Sequence, residues 1–376
     1  MANTLGVYDP IFYAQEALIW LQNALGMATR VHRGHDKEPQ QKGSVISISR
    51  PSTFTVQDAP STAQDLNTGS VNITLDKWKE VKFKLTDKEL SFTTEKIIED
   101  HIMPAAYALA DDIDAKLCAL YKDIPWYQSA SSPAAVADLT ALQRIMFTNK
   151  VPNRNRSLML SGVLREEFLN ISAFSQWQGA GTDGVNTQKE GDLGMKYGFD
   201  TFANQNAQTH TQGVAADATG ALNGAVLKGG TTIAFDGVTA GGTFKAGDTF
   251  VLAGNTQRYS FTADVTADGG GAVASASITP ALVQDYADNV VMTINLVGGV
   301  QSLAFHKNAF ALAMAPLSEM GNQLGARIAT ITDPITSLSL RSRIYYVGNS
   351  SEVHVALDCL YGVKTLDPNL ACRLVD

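Results

Sequence analysis

Hydrophobic positions in "DPIFYAQEALIWLQNALG" fall at Leu18, Leu21 and Leu25, a helical spacing. Asp9 supplies an N-cap, Pro10 suits the first helical position and Gly26 stands near the end, so the pattern predicts a terminal helix. The period then changes to two. "SVISIS" sets Ile46 and Ile48 against Ser47 and Ser49. "VNITLDKWKEVKFKL" sets Val71, Ile73 and Leu75, then Val81, Phe83 and Leu85, against polar neighbours that include Lys82 and Lys84. Two strand-forming arms joined by the polar, proline-punctuated "RPSTFTVQDAPSTAQDLNTGS" predict a long two-stranded projection. An isolated hairpin is marginal in water, so this one needs a partner surface.

From Thr93 the helical period returns, with Ile98, Ile102, Ala105, Leu109, Ile113, Leu117 and Leu120 on one face as far as Lys122. Pro104 lies inside this run and should start or kink its main part. "DLTALQRIMFTN" predicts another helix, "RSLML" a short buried strand, "SGVLREEFLNI" a helix and "MKYGFDTFANQNA" a strand. Between Gly213 and Gly299 the composition shifts: glycines are frequent, charges are few, and "TTIAFDGV", "DTFVLAG", "RYSFTADVTA", "VASASITP" and "NVVMTINLVG" alternate. Short strands separated by Gly, Asp and Asn turns predict a small all-β sandwich or barrel. "LAFHKNAFALAMAPL" then predicts an apolar strand and helix, and "LSLRSRIYYV" and "SEVHVALDCLYGVKTL" further strands. The all-β unit is thus read as an insertion into an α+β domain.

The 376-residue chain is long enough for a sizeable core, and its 45% hydrophobic and 18% charged residues fit a globular protein. Gln15, Glu16, Gln22 and Asn23 interrupt the first apolar stretch, so no signal peptide or membrane span is expected. Cys118, Cys359 and Cys372 form no C-x-x-C and read as reduced, structural thiols. A formal net charge of −8 argues against high-affinity nucleic-acid binding. The basic stretches "RVHRGHDK" and "KVPNRNR" read as solvated loops.

Candidate chemistry is sparse. "QGAGTDGVNTQKEGDLG" holds Gly179, Gly181 and Gly184 in the order G-x-G-x-x-G, with Asp200 beyond. A phosphate-binding loop needs a strand before it and a helix N-terminus after it. Here helical residues precede and no helical period follows, so the segment is expected to be a surface loop. His32 and His35 are the one close histidine pair, with Asp36 and Glu38 nearby but no cysteine. Asp264 and Asp268 in "DVTADGGG" lack the spacing of a calcium loop and read as a hairpin turn. Asp111, Asp112 and Asp114 read as a solvated helix face. No G-x-S-x-G elbow and no acid–base pair is found, so the expectation is a protein that is not an enzyme and carries no cofactor or metal.

Five stretches, "LTDKELSFTTEKIIEDHIMPAAYALADDIDAKL", "YGFDTFANQNAQTHT", "AGDTFVLAGNTQRYSFTADVTADGGG", "LAFHKNAFALAMAPL" and "LYGVKTLDPNLACRLVD", resemble in order the major capsid (coat) proteins of tailed bacteriophages, in particular the Salmonella-podovirus type with an inserted β-domain. The resemblance implies an α+β Johnson (Hong-Kong-97-like) fold. It would have an N-terminal arm over residues 1–44, an extended loop over 45–92 and a spine helix over 93–123. Peripheral and axial domains would come from 124–212 and 300–376, and the inserted immunoglobulin-like or small-barrel domain from 213–299. It implies pentamers and hexamers of this chain in a virion shell made in the host bacterial cytoplasm. The implied partners are a scaffolding protein, a portal and a decoration protein, with packaged DNA enclosed without sequence-specific binding and no membrane. Lys77, Trp78, Lys79, Lys82 and Lys84 are the candidate subunit-interface residues, the lysines facing acidic patches of a neighbour.

Two other readings stay open. A tail or baseplate structural protein with an immunoglobulin-like module would share the β insertion, but would not need the long helix and arm. A carbohydrate-binding adhesin would need exposed aromatics, whereas several of Phe235, Phe244, Phe250, Tyr259, Phe261 and Tyr286 alternate as core residues do.

Overall fold

The structure, a computed structural model, describes residues 10–33, 42–49, 58–59, 70–86, 98–176, 182–215, 219–319, 326–333, 337–349 and 352–376. In chain order, helix α1 (Pro10–Ala24) precedes strands β1 (Val45–Ser49), β2 (Ser70–Thr74) and β3 (Lys77–Thr86). A π-helical turn at Ile98–Ile102 leads into α2 (Met103–Cys118) and a 3-10 turn at Ala119–Asp123. Next come β4 (Tyr127–Ser129), α3 (Val136–Thr148), β5 (Arg156–Leu160), α4 (Gly162–Leu169), α5 (Ser172–Ser175) and α6 (Thr182–Glu190). Strands β6 (Met195–Lys196), β7 (Phe199–Ala203) and β8 (Gln208–His210) lead into an all-β region.

That region contains β9 (Thr219–Leu222), β10 (Thr232–Asp236), β11 (Thr243–Phe244), β12 (Thr249–Leu252), β13 (Arg258–Phe261), β14 (Val265–Thr266), β15 (Val273–Thr279) and β16 (Val291–Asn295). The chain closes with β17 (Gly299–His306), β18 (Phe310–Ala315), β19 (Arg327–Thr332), β20 (Ser339–Val347), β21 (Glu352–Thr365) and β22 (Ala371–Val375). The architecture is α+β. No described helix is long and apolar enough to cross a membrane.

Internal contacts divide the chain into two units, one of residues 1–25, 33–113 and 311–364, the other of 26–32, 114–310 and 365–376. In the first, a five-stranded sheet runs β18–β21–β20–β19, with β3 also paired to β21. Helix α1 packs on β19 and β20 through the face that carries Tyr13, Ala14, Ala17, Leu18 and Leu21. Strands β1 and β2 form a separate antiparallel pair, Ile46 opposite Ile73 and Ile48 opposite Val71. Here the structure corrects the two-armed projection expected from periodicity. The second arm divides after Thr74, and residues from Lys77 leave the hairpin to pair antiparallel with β21 over Glu352–Tyr361. Both pairings satisfy a period-two pattern, and only the distant partner strand decides between them.

In the second unit a mixed seven-stranded sheet runs β4–β22–β17–β5–β7–β6, with β8 also paired to β17. Helices α3 and α4 contribute Leu139, Leu142, Met146, Leu164 and Phe168 to a core closed by Leu158, Phe199, Ala304 and Leu374. Ser161 caps α4, its Oγ accepting from the Leu164 N–H at 3.2 Å. Asp138 in the first turn of α3 accepts from the Ala135 N–H at 2.8 Å. A second correction concerns "FALAMA", expected as a helix. It is strand β18, buried at every position. An unbroken apolar run carries no period, so burial on both faces, not amphipathicity, selects its conformation.

Six of the strands of the all-β region form a closed barrel in the order β10–β15–β13–β12–β16–β9. Phe235, Phe244, Phe250, Tyr259, Phe261 and Tyr286 are all buried in its core. Phe261 sits 4.9 Å from Phe250 and 5.8 Å from both Phe235 and Phe244, centroid to centroid. These aromatics are therefore core, not a sugar-binding face.

Candidate assembly surface

The five candidate interface residues all lie on β3, and its register against β21 and β20 places them in cross-strand rows. Glu80 stands opposite Asp358, which stands opposite Arg341; Lys84 stands opposite His354, which stands opposite Tyr345. On this face Trp78 donates from Nε1 to Asp358 at 2.9 Å. Lys82 lies 5.0 Å from the Tyr345 ring centroid, and Lys84 pairs with Glu352 at 2.7 Å. On the opposite face Lys79 Nζ is 3.7 Å from Asp112 of α2, the carboxylate that also accepts from Tyr361. Lys77 pairs with the adjacent Asp76 at 2.7 Å. Each of the five thus has a partner within its own chain, and the lysine ends stay partly exposed.

Sequence reasoning missed the centre of this arrangement. Asp358 is fully buried and receives two bonds from Arg341, Nε to Oδ1 at 3.0 Å and Nη2 to Oδ2 at 2.5 Å. Arg343 approaches the same carboxylate at 3.4 Å and Glu80 at 3.0 Å. A buried carboxylate bound by guanidinium in this fork geometry fixes strand register as well as charge. The available signal was a lone aspartate inside the apolar "VALDCLY" together with arginines at alternating positions in "LRSRIYY".

At the entry to the barrel a second buried polar cluster forms. His210 Nε2 lies 2.9 Å from Asp248 Oδ1, and Tyr121 Oη lies 3.2 Å from His210 Nδ1. Asp248 Oδ2 also accepts from the backbone N–H of Gly213 at 2.9 Å and Lys245 at 2.7 Å. His210 and Gly299, which precede and follow the barrel strands in the chain, are paired neighbours on β8 and β17. Both boundary glycines are sterically required: a Cβ at Gly213 would collide with the Thr243 carbonyl, and one at Gly299, where φ is +132°, with the Asp376 carbonyl. Ser260 Oγ donates to the Lys122 carbonyl at 2.6 Å, and Gln257 Nε2 to Asn369 at 3.0 Å. The barrel is therefore tied by hydrogen bonds to the 3-10 turns at Ala119–Asp123 and Pro368–Leu370.

The acidic helix face needs correction. Asp111 is exposed, but Asp114 is buried, because it falls on the same helical face as Ala110, Ile113 and Leu117. Its carboxylate accepts from the backbone N–H groups of Gly26 (2.7 Å), Met27 (3.2 Å) and Ala28 (3.0 Å) and from Asn204 Nδ2 (3.1 Å). Burial pushes this carboxyl up from its ordinary range, while the four N–H donors oppose that shift. Asp114→Asn, which places an amide N–H among those donors, is expected to lower unfolding stability by about 2–3 kcal/mol. Urea denaturation measures it; an unchanged midpoint would mean that solvent replaces the carboxylate.

His306, at the end of β17, accepts from the Asn308 N–H through Nδ1 at 3.2 Å. Burial, assisted by the positive charge of Arg156, holds its imidazole below the ordinary value. Folded His306 therefore stays neutral at a pH where the unfolded chain takes up a proton. The resulting stability is complete above the unfolded pKa of about 6.5 and is lost as pH falls towards the folded pKa. Thermal melts are expected to drop more steeply from about pH 7 to about pH 5 in the native chain than in His306→Gln; parallel profiles would contradict this.

Among the described residues, the remaining candidates belong to no group of three metal-ligating side chains. Gly179 and Gly181 lie outside the described residues. Gly184 lies in α6, so a helix does follow them, contrary to the expected loop. That helix is held by packing on α5, with Gln188 Nε2 donating to the Ser175 carbonyl at 2.7 Å. The elements preceding the glycines are helices α4 and α5, so no strand delivers the chain as a dinucleotide loop requires. Asp200 pairs with Arg30 at 2.8 Å. His35, Asp36 and Glu38 lie outside the described residues, and the His32 N–H donates to the Phe310 carbonyl. Asp264 accepts from Lys245 Nζ and the Ala246 N–H, and Asp268 from the Gly270 and Ala272 N–H groups, as turn residues do. Cys118, Cys359 and Cys372 are free and buried, and burial raises all three thiols, Cys372 to about 12.

No protein-family model matches the chain, and no curated protein matches its sequence. Solved structures similar to it include one from Mycobacterium phage Che8, at 13% identity and a TM-score of 0.48, covering 93% of this chain and 90% of that one. The capsid structure of cyanophage P-SCSP1u is similar at 11% identity and a TM-score of 0.47, covering 93% and 88%. A virus-like particle from Pyrococcus furiosus is similar at 6% identity and a TM-score of 0.44, covering 96% and 97%. Likeness at this level carries no inference about the chain.

Proposed function

We propose that the chain is the major capsid protein of a tailed bacteriophage, of the Salmonella-podovirus type, and self-assembles into the icosahedral shell that encloses the double-stranded DNA genome. The observation that supports this reading is the succession of parts. A terminal helix, a hairpin separate from the larger sheets, a long helix, two open sheets and a barrel spliced between paired strands β8 and β17 occur in the order of the sequence resemblance. In this reading residues 1–44 are the arm, 45–92 the extended loop, 93–123 the spine, 124–212 and 300–376 the peripheral and axial domains, and 213–299 the insertion.

A closed shell multiplies weak contacts, so each can stay reversible while the whole is stable. A scaffolding protein, a portal and a decoration protein belong to this proposal. So does an interface role for Lys77, Trp78, Lys79, Lys82 and Lys84, the lysines exchanging their intrachain partners for acidic groups of a neighbour. Reversing all four lysine charges is expected to alter assembly and its salt dependence; unchanged shells would remove that role. The decisive experiment is negative-stain electron microscopy with size-exclusion chromatography of the chain expressed alone and with candidate scaffolding protein. Shells, tubes or spirals are expected. A small oligomer that stays inert with scaffolding protein would replace this reading with a tail component.

A further inference from the structure

The basic stretch "KVPNRNR", read from the sequence as a solvated loop, runs from the end of α3 into β5. Lys150 and Arg154 are exposed on the turn that follows α3, and Arg144 is exposed on the last turns of that helix. The turn between β17 and β18 meets this loop, the Lys307 N–H donating to the Asn155 carbonyl at 3.1 Å, and brings exposed Lys307 alongside. None of these four cations makes an ion pair among the described residues.

Arg144 also lines a cavity of about 490 Å³ whose wall includes Phe147, Asn153, Arg156, Thr140 and Gln143 and no carboxylate. Arg156 is buried and bonds only carbonyls, Nε to Pro152 at 2.8 Å and Nη2 to Val151 at 2.5 Å, so its charge adds to the field without an acidic partner. Phe147 is 74% exposed beside them. In a chain of net charge −8, cations left unpaired beside amide donors make a local positive field that attracts polyanions.

We propose that this surface binds the phosphate backbone of nucleic acid, without sequence preference, through Arg144, Lys150, Arg154 and Lys307. Phosphate is favoured over a carboxylate-bearing peptide because guanidinium and ammonium groups stand here with the exposed side-chain amides of Gln143 and Asn153, the set of donors that contacts the phosphate oxygens of a duplex. The inference goes beyond the shell reading and does not depend on it.

The test is fluorescence anisotropy of the unassembled full chain, purified by size exclusion, with a short labelled DNA duplex of random sequence. Four phosphate contacts predict a log–log salt slope of about −3.6, a loss of roughly a hundredfold in affinity between about 50 and 200 mM salt. The quadruple variant Arg144→Glu/Lys150→Glu/Arg154→Glu/Lys307→Glu is expected to lose at least about tenfold in affinity and most of the slope. The double variant Arg144→Ala/Lys307→Ala, which changes two exposed side chains only, is expected to reduce the slope by about 2 with an unchanged circular-dichroism spectrum. Salt-insensitive or absent binding by the native chain, or native-like binding by both variants, would overturn the proposal. So would displacement of the duplex by poly-glutamate as effective, charge for charge, as displacement by unlabelled duplex, which would assign the surface to an acidic protein segment instead.

Discussion

Replacing Asp358 with alanine is expected to lower unfolding stability by about 3–5 kcal/mol, the range for breaking a buried ion pair by removing one partner. The carboxylate is fully buried, and its removal leaves the Arg341 guanidinium, the Trp78 indole N–H and one contact of Arg343 without their acceptor. The effect should concentrate in the sheet formed by β3, β20 and β21, because all four residues lie on those strands. Amide exchange in Lys77–Thr86 is expected to accelerate more than exchange in the barrel. The double variant Arg341→Met/Asp358→Leu should recover a large part of the loss, since the isolated charge is then gone. A loss below about 1 kcal/mol in Asp358→Ala would mean that water reaches the arginine and solvates it.

The second large effect is expected at the barrel entry. Asp248→Ala removes the acceptor for His210 and for the N–H groups of Gly213 and Lys245, all buried or nearly so. Leaving one buried donor unsatisfied costs about 1–3 kcal/mol, so a combined loss of about 3–5 kcal/mol is expected. The Phe250 and Phe261 rings pack in the barrel core, and that core should outlast the junction. Two unfolding transitions, the first reporting the junction and the second the barrel, are the expected signature in chemical denaturation. A single unshifted transition would show that the junction contributes little. Under the capsid proposal the same variant should also yield misassembled or insoluble protein.

Much of this organisation follows from residue pattern alone. The period of 3.6 over Ile98–Leu120 marks the long helix, and Pro104 stands in the first turn of α2 after a π-helical turn, where a missing N–H is tolerated. Alternating aromatics between turn residues mark the all-β stretch whose strands close into the barrel. Choosing between sandwich and barrel was not possible at that level, because closure depends on β9 pairing with both β10 and β16, residues far apart in the chain.

Pattern also failed in instructive places. "FALAMA" has no period to read, and it is a strand because both of its faces are buried. Residues 182–190 show no apolar stripe, yet they form a helix that rests on α5 through polar contacts. Asp114 looked like one of three solvated carboxylates, although its helical phase with Ile113 and Leu117 already placed it inside.

What the sequence by itself determined is which face of each segment is apolar, since side-chain periodicity is a local property of helix and strand geometry. Tertiary structure alone decided what each face meets. It took β3 from the hairpin to β21, gathered Asp358, Arg341 and Trp78 from three strands, and set Lys307 beside the loop of Lys150 and Arg154. Those choices rest on contacts between residues distant in sequence, whose free energy exists only once the intervening chain has folded.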